Sequence, residues 1–281
     1  VGVVEKTLAG AISMDYPNYQ VYILNDGLVA KKNNWREIEE LAKKYRANII
    51  TRSIPGGAKA GNINNGLKQT KAPFFAIFDA DHAPKKDFLK KTMGYLSDPQ
   101  MALVQTPQYY KNKDENLLTH SAWEQQELFF GPICQGKNKD NATFWCGTNA
   151  IIKRAAIEKI GGIPEDSVTE DFLVSLLLHQ KGYKSVYIPE ILSEGLAPQD
   201  LKSYVSQQYR WARGCLDLLF RHNPFFKKNL SWAQKIHYLY SSSYYLNGLI
   251  IAVNAFIPIY ALLSGVSPVK EDVNNFMIYF F

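Results

Sequence analysis

The chain has 281 residues, 46% of them hydrophobic, and a formal net charge of +6. That length and composition mark a globular protein able to bury a full core as one large domain or two small ones. No basic-aromatic motif of an RNA- or DNA-binding module accompanies the positive charge, so the charge points to an anionic nucleotide or an anionic membrane surface and away from nucleic acid.

Val21 to Leu24 is a short apolar run ending at Asn25-Asp26-Gly27, which reads as a buried strand meeting a turn. Between Trp35 and Tyr45, Ile38, Leu41, Ala42 and Tyr45 share one helical face. Asn48 to Ile50 reads as a strand, and Gly56-Gly57 followed by Lys59 as a flexible loop presenting a lysine. Phe74 to Phe78 is an apolar strand stopped by Asp79, and Ala102 to Gln105 is another. Lys153 to Ile160 is predicted helical, closed by Gly161-Gly162. Thr169 is placed as N-cap of a helix that carries Glu170 and Asp171 in its first turn, and Tyr183 to Ile188 as a further strand. Strands alternating with helices argue for an α/β domain with a parallel or mixed sheet, whose ligands gather at the carboxyl ends of strands.

Leu201 to Phe220 has the pattern of a long basic amphipathic helix lying on a membrane surface. From Ile236 to Val269 there is no Asp, Glu, Lys or Arg. Its apolar part, Tyr238 to Leu263, is long enough to cross a hydrocarbon core of ~30 Å, with a kink expected at Pro258. Arg210, Arg213, Arg221, Lys227, Lys228 and Lys235 lie just upstream, so the flank and the body before it are expected in the cytoplasm. The scattered thiols Cys134, Cys146 and Cys215 form no close metal-ligand pair and suit a reducing compartment.

Asp79 and Asp81, two residues apart after a strand, offer hard oxygen ligands for Mg²⁺ or Mn²⁺ shared with substrate phosphates. Asp171 is the candidate base for an acceptor hydroxyl. Gln207, Arg210 and Trp211, at i, i+3 and i+4, share one helical face and supply an amide, a guanidinium fork and an indole plate for a diphosphate and a sugar ring. Singly, each has a plainer explanation: turn and cap carboxylates, a helix-dipole carboxylate, and a membrane-interface Arg and Trp. Their order ahead of an apolar span is the specific signal. The chain lacks Gly-x-Gly-x-x-Gly and Gly-x-x-x-x-Gly-Lys-Ser/Thr, which argues against dinucleotide oxidoreductases and P-loop ATPases.

Carried by Asp26, Lys59-Ala60-Gly61-Asn62, Asp79-Ala80-Asp81-His82, Val104-Gln105-Thr106-Pro107, Phe144-Trp145-Cys146-Gly147-Thr148-Asn149, Thr169-Glu170-Asp171 and Gln207-Gln208-Tyr209-Arg210-Trp211, the chain resembles the cellulose synthase branch of the family 2 processive glycosyltransferases. The resemblance implies a GT-A (Rossmann-like) mixed sheet flanked by helices, then amphipathic interface helices and a transmembrane helix, in a multi-pass protein of the plasma (inner) membrane. It implies donor binding by Asp26, Lys59, Asp79, Gln207 and Arg210, metal at Asp79 and Asp81, and Asp171 as base. Trp211, His82, Phe144, Cys146 and Glu170 would meet the acceptor. The partners implied are a UDP-sugar donor, a polysaccharide acceptor, membrane lipid, and accessory or regulatory subunits.

The expected organisation is a catalytic domain over residues 1–198, interface helices over 199–234, a membrane helix over 235–264, and a loop leading to a second span over 265–281. The chain is expected to be a fragment, with the domain's first strand upstream of Val1. Asn25 stands where the family often has an acidic residue. The leading expectation is an inverting transfer of glucose from UDP-glucose to a growing β-glucan. Alternatives are another UDP- or GDP-sugar with a chitin, hyaluronan, mannan or glycolipid product, or a non-catalytic membrane protein that binds nucleotide sugar.

Overall fold

The computed structural model describes residues 1–266, so the expected start of a second span lies outside the described residues. After a helix at Gly2–Ile12, strands β1 (Tyr22–Asn25) and β2 (Asn48–Thr51) pair in parallel. The helix between them, Trp35–Lys44, buries Leu41 and Ala42, the face its apolar spacing selects. The remaining strands are β3 (Phe74–Ile77), β4 (Ala83–Pro84), β5 (Met101–Gln105), β6 (Tyr109–Tyr110), β7 (Ala150–Lys153), β8 (Lys184–Tyr187) and β9 (Ser193–Gly195). The main sheet runs β3-β7-β5-β8. β7 is antiparallel to both its neighbours and β5 is parallel to β8, so the sheet is mixed, as expected. A small sheet, β4-β9-β6, begins two residues after Asp81.

β5 and β7 are buried on both faces, which is why they read as apolar runs rather than as alternation. Ala60, Ile63, Ala156, Ile157, Val174, Leu178 and Trp145 cover one side, and Phe88, Leu89, Leu96, Ile188 and Leu192 the other. Each large apolar side chain buried this way contributes roughly 1.5–3 kcal/mol.

Two local expectations are corrected. Lys59 is not on a flexible loop: it is the second residue of the helix Ala58–Gln69. Gly57, at φ 62, forms the entry turn. The helix was hidden because its buried face is Ala60, Gly61, Asn62, Ile63 and Gly66, small residues that make no apolar stripe. Lys153 closes β7 instead of opening the following helix, Arg154–Lys159. β7 itself has three apolar residues, too few to show a period.

The helix Leu201–Arg221 is N-capped by Asp200, whose carboxylate accepts from Ser203 N at 2.9 Å. Trp232–Ser264 forms 33 helical residues, long and apolar enough to cross a membrane. A 3-10 turn at Tyr244–Leu246 divides it, and the second part, Asn247–Ser264, continues through Pro258 with its side chains outward. The first part carries a polar stripe that docks on the body. Gln234 donates to Asn141 O at 2.8 Å, and His237 pairs with Asp140 at 2.9 Å. Lys137 donates to Ser241 Oγ at 2.9 Å, and Tyr245 to Gln208 Oε1 at 3.1 Å.

At the centre of the stripe the Tyr238 hydroxyl shares a 2.8 Å hydrogen bond with His179 Nδ1, while His179 Nε2 is 2.9 Å from Ser185 Oγ. Both side chains are buried, and burial lowers the His179 pKa to about 4, so the imidazole is neutral. Tyr238→Phe keeps the ring and leaves one imidazole nitrogen without a partner. It should cost about 1–3 kcal/mol of stability, read as a lowered midpoint of unfolding in detergent; an unchanged midpoint would contradict this account of the stripe.

Candidate active site

Asp26 follows β1 and Asp79 follows β3, both at carboxyl ends of strands. Asp171 lies in the first turn of the helix Glu170–Gln180. Lys59 connects Asp79 to the loop beside Asp171. Its ammonium donates to the Asp79 carboxylate and, at 2.8 Å, to Gly147 O. A Cβ built on Gly147 would lie 3.0 Å from Asp171 Oδ2 and 3.5 Å from Lys59 Nζ, so lysine and aspartate are near neighbours across one glycine. The Asp79 N–H donates to Thr148 Oγ1 at 2.8 Å, which fixes the strand end to the same loop.

Two acids around this lysine are held protonated more readily than usual. Burial, reinforced by the charge of Glu170, pushes the Asp171 carboxyl up to about 7. Lys59 and the Phe172 N–H, 2.8 Å from Asp171 Oδ1, work against that shift. Glu170 is raised as well, chiefly by burial. Asp81 goes the other way: burial alone would raise it, but the hydrogen bond and charge of His82, with Lys59 beyond, hold it below the ordinary carboxylate range.

Asp79, Asp81 and His82 place one ligand atom each within 4.8 Å of one another. The two carboxylates are suitable donors for a hard divalent cation. His82 is more an orienting group than a ligand, because Nδ1 lies 3.0 Å from Asp81 Oδ1 and the buried ring packs against Gly195. His82 Nε2 is buried without a partner among the described residues. The donor set therefore fits Mg²⁺ or Mn²⁺ held by Asp79 and Asp81.

Gln207 lies beside the buried Tyr110 hydroxyl, which accepts from Gln126 at 3.3 Å and feels the charge of Asp81. Two turns on, Gly214 packs against Thr169, the residue before Glu170-Asp171. Positions 207 and 214 thus turn one face of the helix toward the acidic cluster. Arg210 and Trp211 lie on that face between them, Arg210 exposed and Trp211 half-buried. Phe144 packs in an aromatic group, 4.5 Å from Phe172 and 5.9 Å from Phe129 between ring centroids, so it supports the residue after Asp171. Cys146 accepts Gln108 at its carbonyl and donates its N–H to Gln105 Oε1 at 2.9 Å. Burial pushes its thiol well up, with Cys134 and Asp171 adding to the effect.

Sequence reasoning missed Arg52, Tyr110 and Thr148. Arg52 pairs with both oxygens of Asp26, at 2.8 and 2.7 Å. A lone arginine after a short strand carries no pattern, and the other two are ordinary polar residues whose partners are far away in sequence.

The family model described as Glycosyl transferase family group 2 matches residues 74–281. The chain is 36% identical over 272 residues to the UDP-forming cellulose synthase catalytic subunit of Pseudomonas fluorescens (strain SBW25), covering 94% of this chain and 36% of that protein. It is 33% identical over 288 residues to cellulose synthase 2 of Novacetimonas hansenii, covering 100% of this chain and 18% of that one. The chain thus spans little more than a third of the length of the first and less of the second. Among solved structures, the mannosyltransferase PcManGT from Pyrobaculum calidifontis in complex with GDP-Man and Mn²⁺ superimposes with a TM-score of 0.59 at 19% identity, over 95% of this chain and 78% of that one. TarS 1–349 of S. aureus in complex with UDP-GlcNAc gives 0.56 at 13% identity, over 84% and 66%. At such identities the likeness is one of fold, and it bears out the GT-A architecture.

The contact between Gly214 and Thr169 leaves no room for a side chain. Gly214→Ala should destabilise the protein by about 1–3 kcal/mol and displace the Gln207 helix from the Thr-Glu-Asp turn. Thr169→Gly in the same chain should recover most of that loss, and additive unfolding midpoints would contradict the contact.

Proposed function

The chain belongs to glycosyl transferase family group 2, and on that premise we propose that it is the catalytic part of an inverting β-glycosyltransferase that moves glucose from UDP-glucose to the end of a β-glucan. The carrying observation is the meeting of Asp79, Lys59 and Asp171 around Gly147, which joins a diphosphate-and-cation end to a carboxylate poised near neutrality. The choice of glucose rests on the likeness to cellulose synthases.

On this reading Asp26 holds the nucleoside, and Lys59, Gln207 and Arg210 meet the diphosphate. Trp211 packs on the C–H face of the acceptor's terminal sugar, with His82, Glu170, Phe144 and Cys146 shaping the acceptor side. The acceptor hydroxyl oxygen attacks the anomeric carbon from the face opposite the diphosphate. The bond from that carbon to the diphosphate oxygen breaks, its electron pair leaves with UDP, and Asp171 takes the hydroxyl proton. A divalent cation at Asp79 and Asp81 supplies neutralisation of charge on the diphosphate when bound. A pKa near 7 suits Asp171 to this work, since a base is most effective when its pKa lies near the working pH.

The helix Trp232–Ser264 would anchor the protein in a plasma membrane as one of several spans, and the basic residues ahead of it would keep the catalytic body cytoplasmic, beside anionic lipid. The part of the protein before the interface helices, residues 1–198, is the proposed catalytic domain, and residues 199–234 the proposed interface segment. The remaining spans and any regulatory subunits would belong to the longer protein.

Membranes carrying the full-length protein should release UDP from UDP-glucose faster than from UDP-N-acetylglucosamine or GDP-mannose, with labelled glucose entering polymer. Asp171→Asn should lower transfer by about 10²–10⁴-fold while UDP still binds. The wild-type rate at saturating donor should fall as pH drops through about 7, because protonation of Asp171 removes the base; groups facing it are Glu170, Lys59, Asp79, Cys146 and Cys215. Robust polymer synthesis by Asp171→Asn, or a rate indifferent to pH across that range, would reject Asp171 as the base.

A further inference from the structure

Arg52 is the most heavily engaged cation near the proposed donor site, and its side chain is only 8% exposed. Its Nε and Nη2 grip the two oxygens of Asp26 at 2.8 and 2.7 Å. Its other donors reach the turn before the Lys59 helix: Nη1 to Gly56 O, and Nη2 to Ala58 O at 3.3 Å. The Arg52 N–H donates to Asn25 O at 3.0 Å, so main chain and side chain both tie the end of β2 to the end of β1.

That turn needs an outside hold. Ala58 has φ 42, a conformation that a residue with a Cβ adopts only under constraint. Gly61, one turn into the helix, closes over the same guanidinium: a Cβ there would come within 2.6 Å of Arg52 Nη1 and collide with Gly56 O. The planar fork of arginine satisfies a carboxylate and two carbonyls in different directions, which a lysine ammonium cannot reproduce.

We propose that Arg52 is a positioning residue for the nucleoside diphosphate, which sets the orientation of Asp26 and the turn from which Lys59 reaches the diphosphate. The inference rests on the functional reading above, in which Asp26 and Lys59 bind the two ends of the nucleoside diphosphate. Held on both oxygens, the Asp26 carboxyl group is fixed in direction toward the nucleoside it would meet. Arg52 touches neither reacting centre nor sugar in this scheme, so its loss falls on donor affinity.

The test uses the full-length protein in membranes, with UDP release from UDP-glucose as the assay and UDP as the binding probe. Arg52→Lys, which keeps the charge and gives up the fork, should raise both the KM for UDP-glucose and the Kd for UDP by about tenfold or more, with the larger part of the lost efficiency in KM. Combined with Asp26→Asn it should be little worse than Asp26→Asn alone, since the two act as one unit. Arg52→Gln should weaken UDP further; if it fails to fold, Arg52→Lys with a near-native unfolding midpoint carries the test. An unchanged KM, a loss confined to kcat, or additive effects with Asp26→Asn overturns the inference. Absence of UDP release by the wild-type protein overturns the functional reading instead.

Discussion

One ammonium group governs the geometry of this site. Lys59 Nζ bonds the Asp79 carboxylate and the Gly147 carbonyl, joining the end of β3 to the loop that leads into β7. Asp171 and Glu170 press on the same point from the helix that follows. Four carboxylates with one lysine among them is an unbalanced set of charges. Burial raises both Asp171 and Glu170, and the charge of Glu170 adds to the shift at Asp171 while Lys59 opposes it. A site of this kind is completed by positive charge from outside. On the proposed reading that charge is a divalent cation between Asp79 and Asp81, entering with a diphosphate of opposite sign.

The lysine can do this because the turn before its helix is fixed elsewhere. Arg52 holds that turn and Asp26 together, so the two ends of the proposed donor pocket share one anchor. Gly214 against Thr169 and Gln207 beside Tyr110 bring the helix Leu201–Arg221 to the same cluster. The candidate span is attached by its polar stripe, at Asn141, Asp140, His179 and Lys137. The sheet domain, the helix Leu201–Arg221 and the candidate span are therefore one hydrogen-bonded assembly, with the apolar part after Asn247 projecting from it.

Much of this was legible in the sequence, for reasons that differ by residue. Asp26 and Asp79 announced themselves because each ends an apolar strand, where a carboxylate has no reason to be unless it faces a turn or a ligand. Asp171 was marked by the threonine ahead of it and the apolar run behind. The charge-free stretch after Ile236 was plain by length. What escaped was whatever depends on a partner distant in sequence or on the backbone. The role of the Gly147 carbonyl cannot be read from a glycine, and β7 is too short to show a period. The helix around Lys59 buries small residues and leaves no stripe to find. Composition also merged the docked and the exposed halves of the long helix; Gln234, His237 and Ser241, polar but unpaired with any local charge, were the available signal that its first turns face protein.

The account stands on the placement of a divalent cation and a nucleotide sugar within this ring of residues. The direct measurement is a structure of the full-length protein with Mn²⁺ and a non-transferable UDP-glucose analogue, with the ion located by its anomalous scattering. The account predicts the Mn²⁺ signal between Asp79 and Asp81, the diphosphate beside Lys59, and the anomeric carbon on the side facing Asp171. A metal signal away from Asp79 and Asp81, or a sugar turned from Asp171, would contradict it.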